Sequence, residues 1–187
     1  MDIAIHPVTE ADRAFWFSLD HHLTDAEYTR KVRDQMGYVL ALSSTPIAIL
    51  RWSLFWDSIP FCNLLFVEER FRRNGFGQKL TSFWEEDMQS RGYDLVMTST
   101  QSDEAAQHFW RRLGYRDCGG LMLPIPGHDQ PMELILEKAP ENKISNHSRG
   151  IIGEPPNTEG DINHEHLHSS RNGSRPHFLV FSGSSSE

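Results

Sequence analysis

Phe61-Cys62-Asn63-Leu64-Leu65-Phe66-Val67, followed shortly by Arg72-Arg73-Asn74-Gly75-Phe76-Gly77-Gln78, is the stretch whose reading decides the fold. The first run is apolar except for Asn63 and reads as a buried strand. The second opens a helix. Phe76, Leu80, Phe83, Trp84 and Met88 recur at steps of three and four, with Glu85, Glu86 and Arg91 on the polar side and Gly92 as the stop. The first N–H groups of a helix lack partners inside it, and the peptide dipoles place about half a positive charge there, so such a loop suits a phosphate. Gly75 and Gly77 let the backbone take unusual φ and approach a ligand closely, and Arg72 and Arg73 add charge. A Gly-x-Gly at a helix start is equally an ordinary tight turn. No Gly-Lys-Ser/Thr follows, which excludes the Walker loop, and the third glycine of a dinucleotide fingerprint is missing.

A second motif downstream separates these readings. After an expected strand at residues 93–100 comes Asp103-Glu104-Ala105-Ala106-Gln107-His108-Phe109-Trp110-Arg111-Arg112-Leu113-Gly114-Tyr115. The two motifs together, in this order, resemble the GNAT acyltransferase superfamily. The first is similar to its Arg/Gln-x-x-Gly-x-Gly/Ala loop, with Val67 at the strand end before it. The second is similar to its Asn-x-x-Ala-x-x-Phe-Tyr-x-x-x-Gly-Phe helix: Ala106, Phe109, Gly114 and Tyr115 fit, Asp103 stands for the Asn and Trp110 for the Tyr.

The resemblance covers about residues 3–138 and implies an α/β (α+β) fold. Its central sheet is mixed and mostly antiparallel, with one splayed parallel strand pair and helices on both faces. It also implies acetyl-CoA as cosubstrate and direct acetyl transfer to an amine. The cofactor-binding residues it implies are Phe66, Val67, Arg72, Arg73, Asn74, Gly75, Phe76, Gly77, Gln78, Asp103 and Trp110, with no metal.

Such transfer needs a neutral amine, a polarised thioester carbonyl and a tolerated leaving thiolate. A backbone N–H near Val67 suits the second need. For the first, no carboxylate lies within the organising strand; Asp57 in the preceding turn is the leading candidate base, followed by Glu68 and His128. Trp110 takes the place where the resemblance implies a proton-donating Tyr. An indole N–H donates a hydrogen bond but does not give up its proton.

Composition bounds the rest. The 187 residues, 38% of them hydrophobic, support one domain with a sizeable core. The net charge of -8 argues against nucleic-acid binding and accords with a cationic amine substrate. No apolar run approaches the ~20 residues that span a bilayer, so no membrane partner and a cytoplasmic location are expected. Cys62 and Cys118 form no motif and read as two buried free thiols in strands.

Taken in order, residues 3–6 alternate as a first strand. Thr9 with Asp12 caps a helix, and Thr24 starts a second. Between them, His21 and His22 read as a solvated turn or a substrate-pocket wall. Residues 37–42 and 47–54 form strands around a Ser43-Ser44-Thr45-Pro46 turn, and Trp52, Phe55 and Trp56 fall in a run expected near the cleft. Residues 115–123 and 132–138 close the domain as a hairpin. From 139 to 187 the chain turns to Ser, Gly, Asn and Pro and cannot bury enough surface to offset chain entropy, so a disordered tail is expected. The reading reached is an N-acetyltransferase for a primary amine, of a small molecule, in a possible homodimer. A non-catalytic CoA-binding sensor and a protein N-acetyltransferase are the alternatives.

Overall fold

The computed structural model describes residues 2–122 and 130–139. The candidate base His128 and the tail from residue 140 lie outside them. Seven strands form one sheet in the order β1-β2-β3-β4-β5-β7-β6: β1 Ile3–Pro7, β2 Gly37–Leu42, β3 Thr45–Phe55, β4 Ile59–Val67, β5 Val96–Gln101, β6 Arg116–Leu121 and β7 Glu133–Lys138. Every neighbouring pair is antiparallel except β4 and β5. The helices are α1 Arg13–Leu19, α2 Asp25–Asp34, α3 Phe76–Ser90 and α4 Ala106–Arg112.

Strand alternation sorts the core into two layers. Leu80, Trp84 and Met88 of α3 and Trp110 of α4 pack with Tyr38, Leu40, Leu50, Trp52, Cys62, Val96 and Leu136 on one face. Trp16 of α1 and Tyr28 of α2 pack with Val39, Ile49 and Leu64 on the other. Helices therefore cover both faces, as expected.

Local chemistry sets the element ends. Thr9 donates its N–H and hydroxyl to the Asp12 carboxylate, at 2.8 and 2.7 Å, but the chain makes one 3-10 turn before α1 begins at Arg13. The Thr24 hydroxyl accepts the Glu27 N–H at 3.3 Å and caps α2. The β2–β3 turn is tighter than expected: Ser43 and Ser44 alone take positive φ, and Thr45 and Pro46 already belong to β3. Positive φ at both turn residues matches the twist of the flanking strands, and an irregular register after Leu40 accommodates the proline. The expectation of two buried thiols needs correcting. Cys62 is buried but Cys118 is exposed, because β6 is the outer strand and is exposed along its length.

Candidate active site

β4 and β5 pair at two positions, Phe61↔Met97 and Cys62↔Thr98, and then part. The cause lies on the other edge of β4. Arg51 of β3 faces Leu64 and Trp52 faces Cys62, so Asn63 is an extra residue in β4. Such a bulge bends its strand and increases its twist. It sits where the β4–β5 ladder ends, and the two strands splay from there.

The splay leaves peptide groups without ladder partners. The Glu68 N–H donates to Ile47 O, so the antiparallel alternation turns the peptide groups of Leu65 and Val67 away from β3, toward the gap. A cavity of about 570 Å³ fills the gap, lined by residues 62–67 of β4, Thr98, Ser99 and Thr100 of β5, and Glu104, Ala106, Phe109, Trp110, Arg112 and Leu113 from the α4 region. Its outer end is the loop before α3, where Phe71, Arg72, Arg73, Gly75, Phe76, Gly77 and Gln78 line it.

That loop is held by its own side chains. The Arg72 Nε–H donates to Val67 O at 3.0 Å, and its guanidinium lies 5.1 Å from the Phe66 ring centre. The Asn74 amide donates to Phe71 O and Arg72 O, at 3.2 and 3.0 Å. Arg73 at φ 63° and Gly75 at φ 80° are both left-handed, which curls the backbone into α3. The Lys79 N–H donates to Gly75 O at 3.0 Å, and the amides of Phe76, Gly77 and Gln78 precede this helical ladder. A Cβ on Gly77 would stand 3.6 Å from Phe109, so this turn of α3 seats against α4. Together these features form a positive, amide-rich end on an apolar cleft.

The profile of the acetyltransferase (GNAT) family matches residues 5–115. The chain belongs to this family. Among solved structures, similar ones include Ard1 from Thermoplasma volcanium, with a TM-score of 0.66 at 16% identity, covering 74% of this chain and 98% of that one. The ribosomal-protein-S18-alanine N-acetyltransferase from Escherichia coli has a TM-score of 0.62 at 14% identity, covering 79% and 100%. The PaiA N-acetyltransferase from Thermoplasma acidophilum, solved with coenzyme A, has a TM-score of 0.56 at 12% identity, covering 74% and 99%. A search of curated proteins found no match. These identities speak to the GNAT fold alone.

Phe66, Val67, Arg72, Arg73, Gly75, Phe76, Gly77, Gln78 and Trp110 all line the cavity, and Asn74 braces the loop from behind. Trp110 is 5% exposed, with its ring edge-to-face against Phe109 and Tyr115 at 5.1 and 5.0 Å. Burial, aided by the Glu85 charge, holds the Tyr115 hydroxyl well above its ordinary range. Asp103 does not line the cavity; its neighbour Glu104 does. The Thr100 hydroxyl donates to Glu104 Oε2 at 2.9 Å, Oε1 is buried without a partner among the described residues, and burial raises this carboxyl above the usual range.

Asp57 stands in the exposed β3–β4 turn at φ 57°, and Glu68 pairs with Arg70 at 2.8 Å; neither lines the cavity. Trp52 is a core residue and Trp56 is 78% exposed, its ring tilted 41° against Phe55 at 4.6 Å. His21 and His22 lie exposed between α1 and α2. Cys62 lies at the apex, its thiol pushed up to about 12 by burial, so it stays protonated and is no nucleophile. The sequence reading missed Glu104, Leu65 and Ser99. Asn63, a polar residue inside an apolar strand, was the one visible sign of the bulge.

Proposed function

We propose that this protein is an acetyl-CoA-dependent N-acetyltransferase whose acceptor is a primary amine of a small molecule. The observation that carries this reading is the split sheet. Strand-edge peptide groups at Leu65 and Val67 run directly into an arginine-flanked helix start. The residues present suit acetyl-CoA. The amides of Phe76, Gly77 and Gln78 with Arg72 and Arg73 would hold its diphosphate, and the free N–H and C=O of Leu65 and the free N–H of Val67, whose carbonyl already accepts from Arg72, would pair with the amides of its pantetheine arm.

Acetyl-CoA, when bound, supplies a thioester. The N–H of Val67 or Leu65, having no ladder partner, can donate to the carbonyl oxygen and stabilise the charge that develops there. Trp110 packs beside this path and cannot supply a proton. With a thiol pKa of about 8.5, departure as thiolate is tolerable near neutral pH.

A second reading, acetylation of a protein amino group, is supported by the solved structures with similar folds, one of which is a ribosomal-protein-S18-alanine N-acetyltransferase. The test measures acetyl-CoA binding by titration calorimetry and thiol release across a panel of amines and peptides. Amine-dependent release supports transfer. Binding without release from any acceptor would leave a CoA-binding sensor.

A further inference from the structure

The cofactor loop, α3 and α4 all belong to one face of the sheet. A cofactor entering from that face fills it, so the acceptor amine must reach the thioester from the other. Residues on that other face can be read from the strand register. Val96, Thr98 and Thr100 of β5 point toward α3 and α4, as the core contacts of Val96 and the Thr100–Glu104 bond show. Met97, Ser99 and Gln101 therefore point the opposite way. Glu133 of β7 faces Gln101 directly in the antiparallel ladder and shares that face.

We propose that Ser99, Gln101 and Glu133 form the acceptor subsite, and that it takes an amine standing next to a carbonyl group, as in an amino-acid amide or the N-terminus of a peptide. This rests on the acetyltransferase reading above. Ser99 is the first β5 residue past the last β4–β5 pair and lines the cleft. Glu133 is half-buried, and among the described residues no lysine, arginine or histidine pairs with it. Burial raises its carboxyl above the ordinary range. A desolvated carboxylate without a cation is costly, and a primary ammonium supplies the missing charge.

Gln101 is the second, independent observation. It is 6% exposed and its amide Nε2 is buried without a partner among the described residues. An orphaned donor opposite an acceptor-only carboxylate matches an ammonium with a carbonyl oxygen beside it. Over the neighbouring strands, the buried Asp20–Arg51 pair, 3.0 Å apart, anchors the end of α1 at the level of Leu64.

In the transfer, the ammonium gives one proton to Glu133, and the freed nitrogen pair forms the C–N bond to the acetyl carbonyl carbon. The C–S bond breaks with its electron pair left on sulfur, and the second N–H proton goes to solvent.

The test compares amino-acid amides, free amino acids and tetrapeptides with the alkylamines that remain when the carboxamide is removed, using thiol release with saturating acetyl-CoA. For wild type, kcat/KM for the amides or peptides should exceed that for the matched alkylamines by about tenfold or more, because the alkylamine leaves the buried donor unpaired. Turnover of free amino acids and amides would point to a small-molecule source, and turnover of peptides alone to a polypeptide. Gln101→Leu should remove the preference, and Glu133→Gln, which can neither pair with the ammonium nor take its proton, should raise KM and lower kcat for every acceptor, both with unchanged acetyl-CoA affinity. Equal use of amides and alkylamines by wild type, or wild-type kinetics in folded Glu133→Gln, would overturn the subsite. Failure to bind acetyl-CoA removes the acetyltransferase reading as well; binding without the preference removes this inference alone.

Discussion

Glu104 is a carboxylate in a cleft otherwise suited to an anionic ligand, and its cost can be measured. Its carboxyl is raised by burial, so the folded state holds the proton more tightly than the unfolded chain. The contribution to stability is full below the unfolded value of about 4.3 and is lost as pH rises through the folded value. Glu104→Gln should therefore raise the Tm of the ligand-free protein at pH 7, and the gain should shrink toward pH 4; thermal scans across that range check it. Gly75 offers a different kind of test. A Cβ there meets nothing within 4 Å, so the constraint is its φ of 80° and not space. Gly75→Val should lower CoA affinity by about tenfold or more by forcing the loop out of the left-handed region, as calorimetry would show. Trp110 separates packing from chemistry. Trp110→Ala should cost about 3–5 kcal/mol in chemical denaturation, whereas Trp110→Tyr should retain CoA binding and leave turnover unchanged or higher.

At the scale of the element, the bulge in β4 is what opens the cleft. Deleting Asn63 leaves Cys62 and Leu64 as successive residues with their side chains still on opposite faces, so the core pattern survives while the bend is removed. The deletion variant is expected to keep cooperative unfolding and to lose CoA binding by about tenfold or more; thermal unfolding with CoA titration tests both halves of that statement. The contrast with the next helix shows how far the sequence could be read. The run from Phe76 to Met88 reports its own periodicity, and Gly75, Gly77 and the arginines report the anion end, because each of those signals is local. A bulge depends on the register between two strands, and β3 carries no mark of it. Glu104 rather than Asp103 lines the cleft because α4 starts at Ala106, and a shift of a residue at a helix start changes which side chain faces inward. Cys118 was misjudged for the same reason. Its chemistry suggests burial, but its strand is the outermost one, a fact of topology.

At the scale of the whole molecule, the seven strands and four helices of the described residues fall within residues 3–138. Residues 140–187 are rich in Ser, Gly, Asn and Pro and carry little apolar surface, so a chain ending at Ala139 should unfold cooperatively, with stability within about 1 kcal/mol of the full chain and CoA affinity retained, which denaturation and calorimetry would check. Inside that unit, β1 to β4 form one antiparallel ladder and β5, β7 and β6 another, and the two are joined by two residue pairs. The sheet thus has an edge in its interior as well as at β1 and β6. Amides along an open edge exchange their hydrogens with solvent on opening motions that a full ladder suppresses. In the ligand-free protein, the N–H groups of Leu65 and Val67 should exchange far faster than those of Ile49 or Leu50 on the adjoining strand. A pantetheine arm lying along β4 would close them, acting in effect as the strand that the chain leaves out, so deuterium uptake at two β4 amides becomes a direct count of how many molecules are loaded.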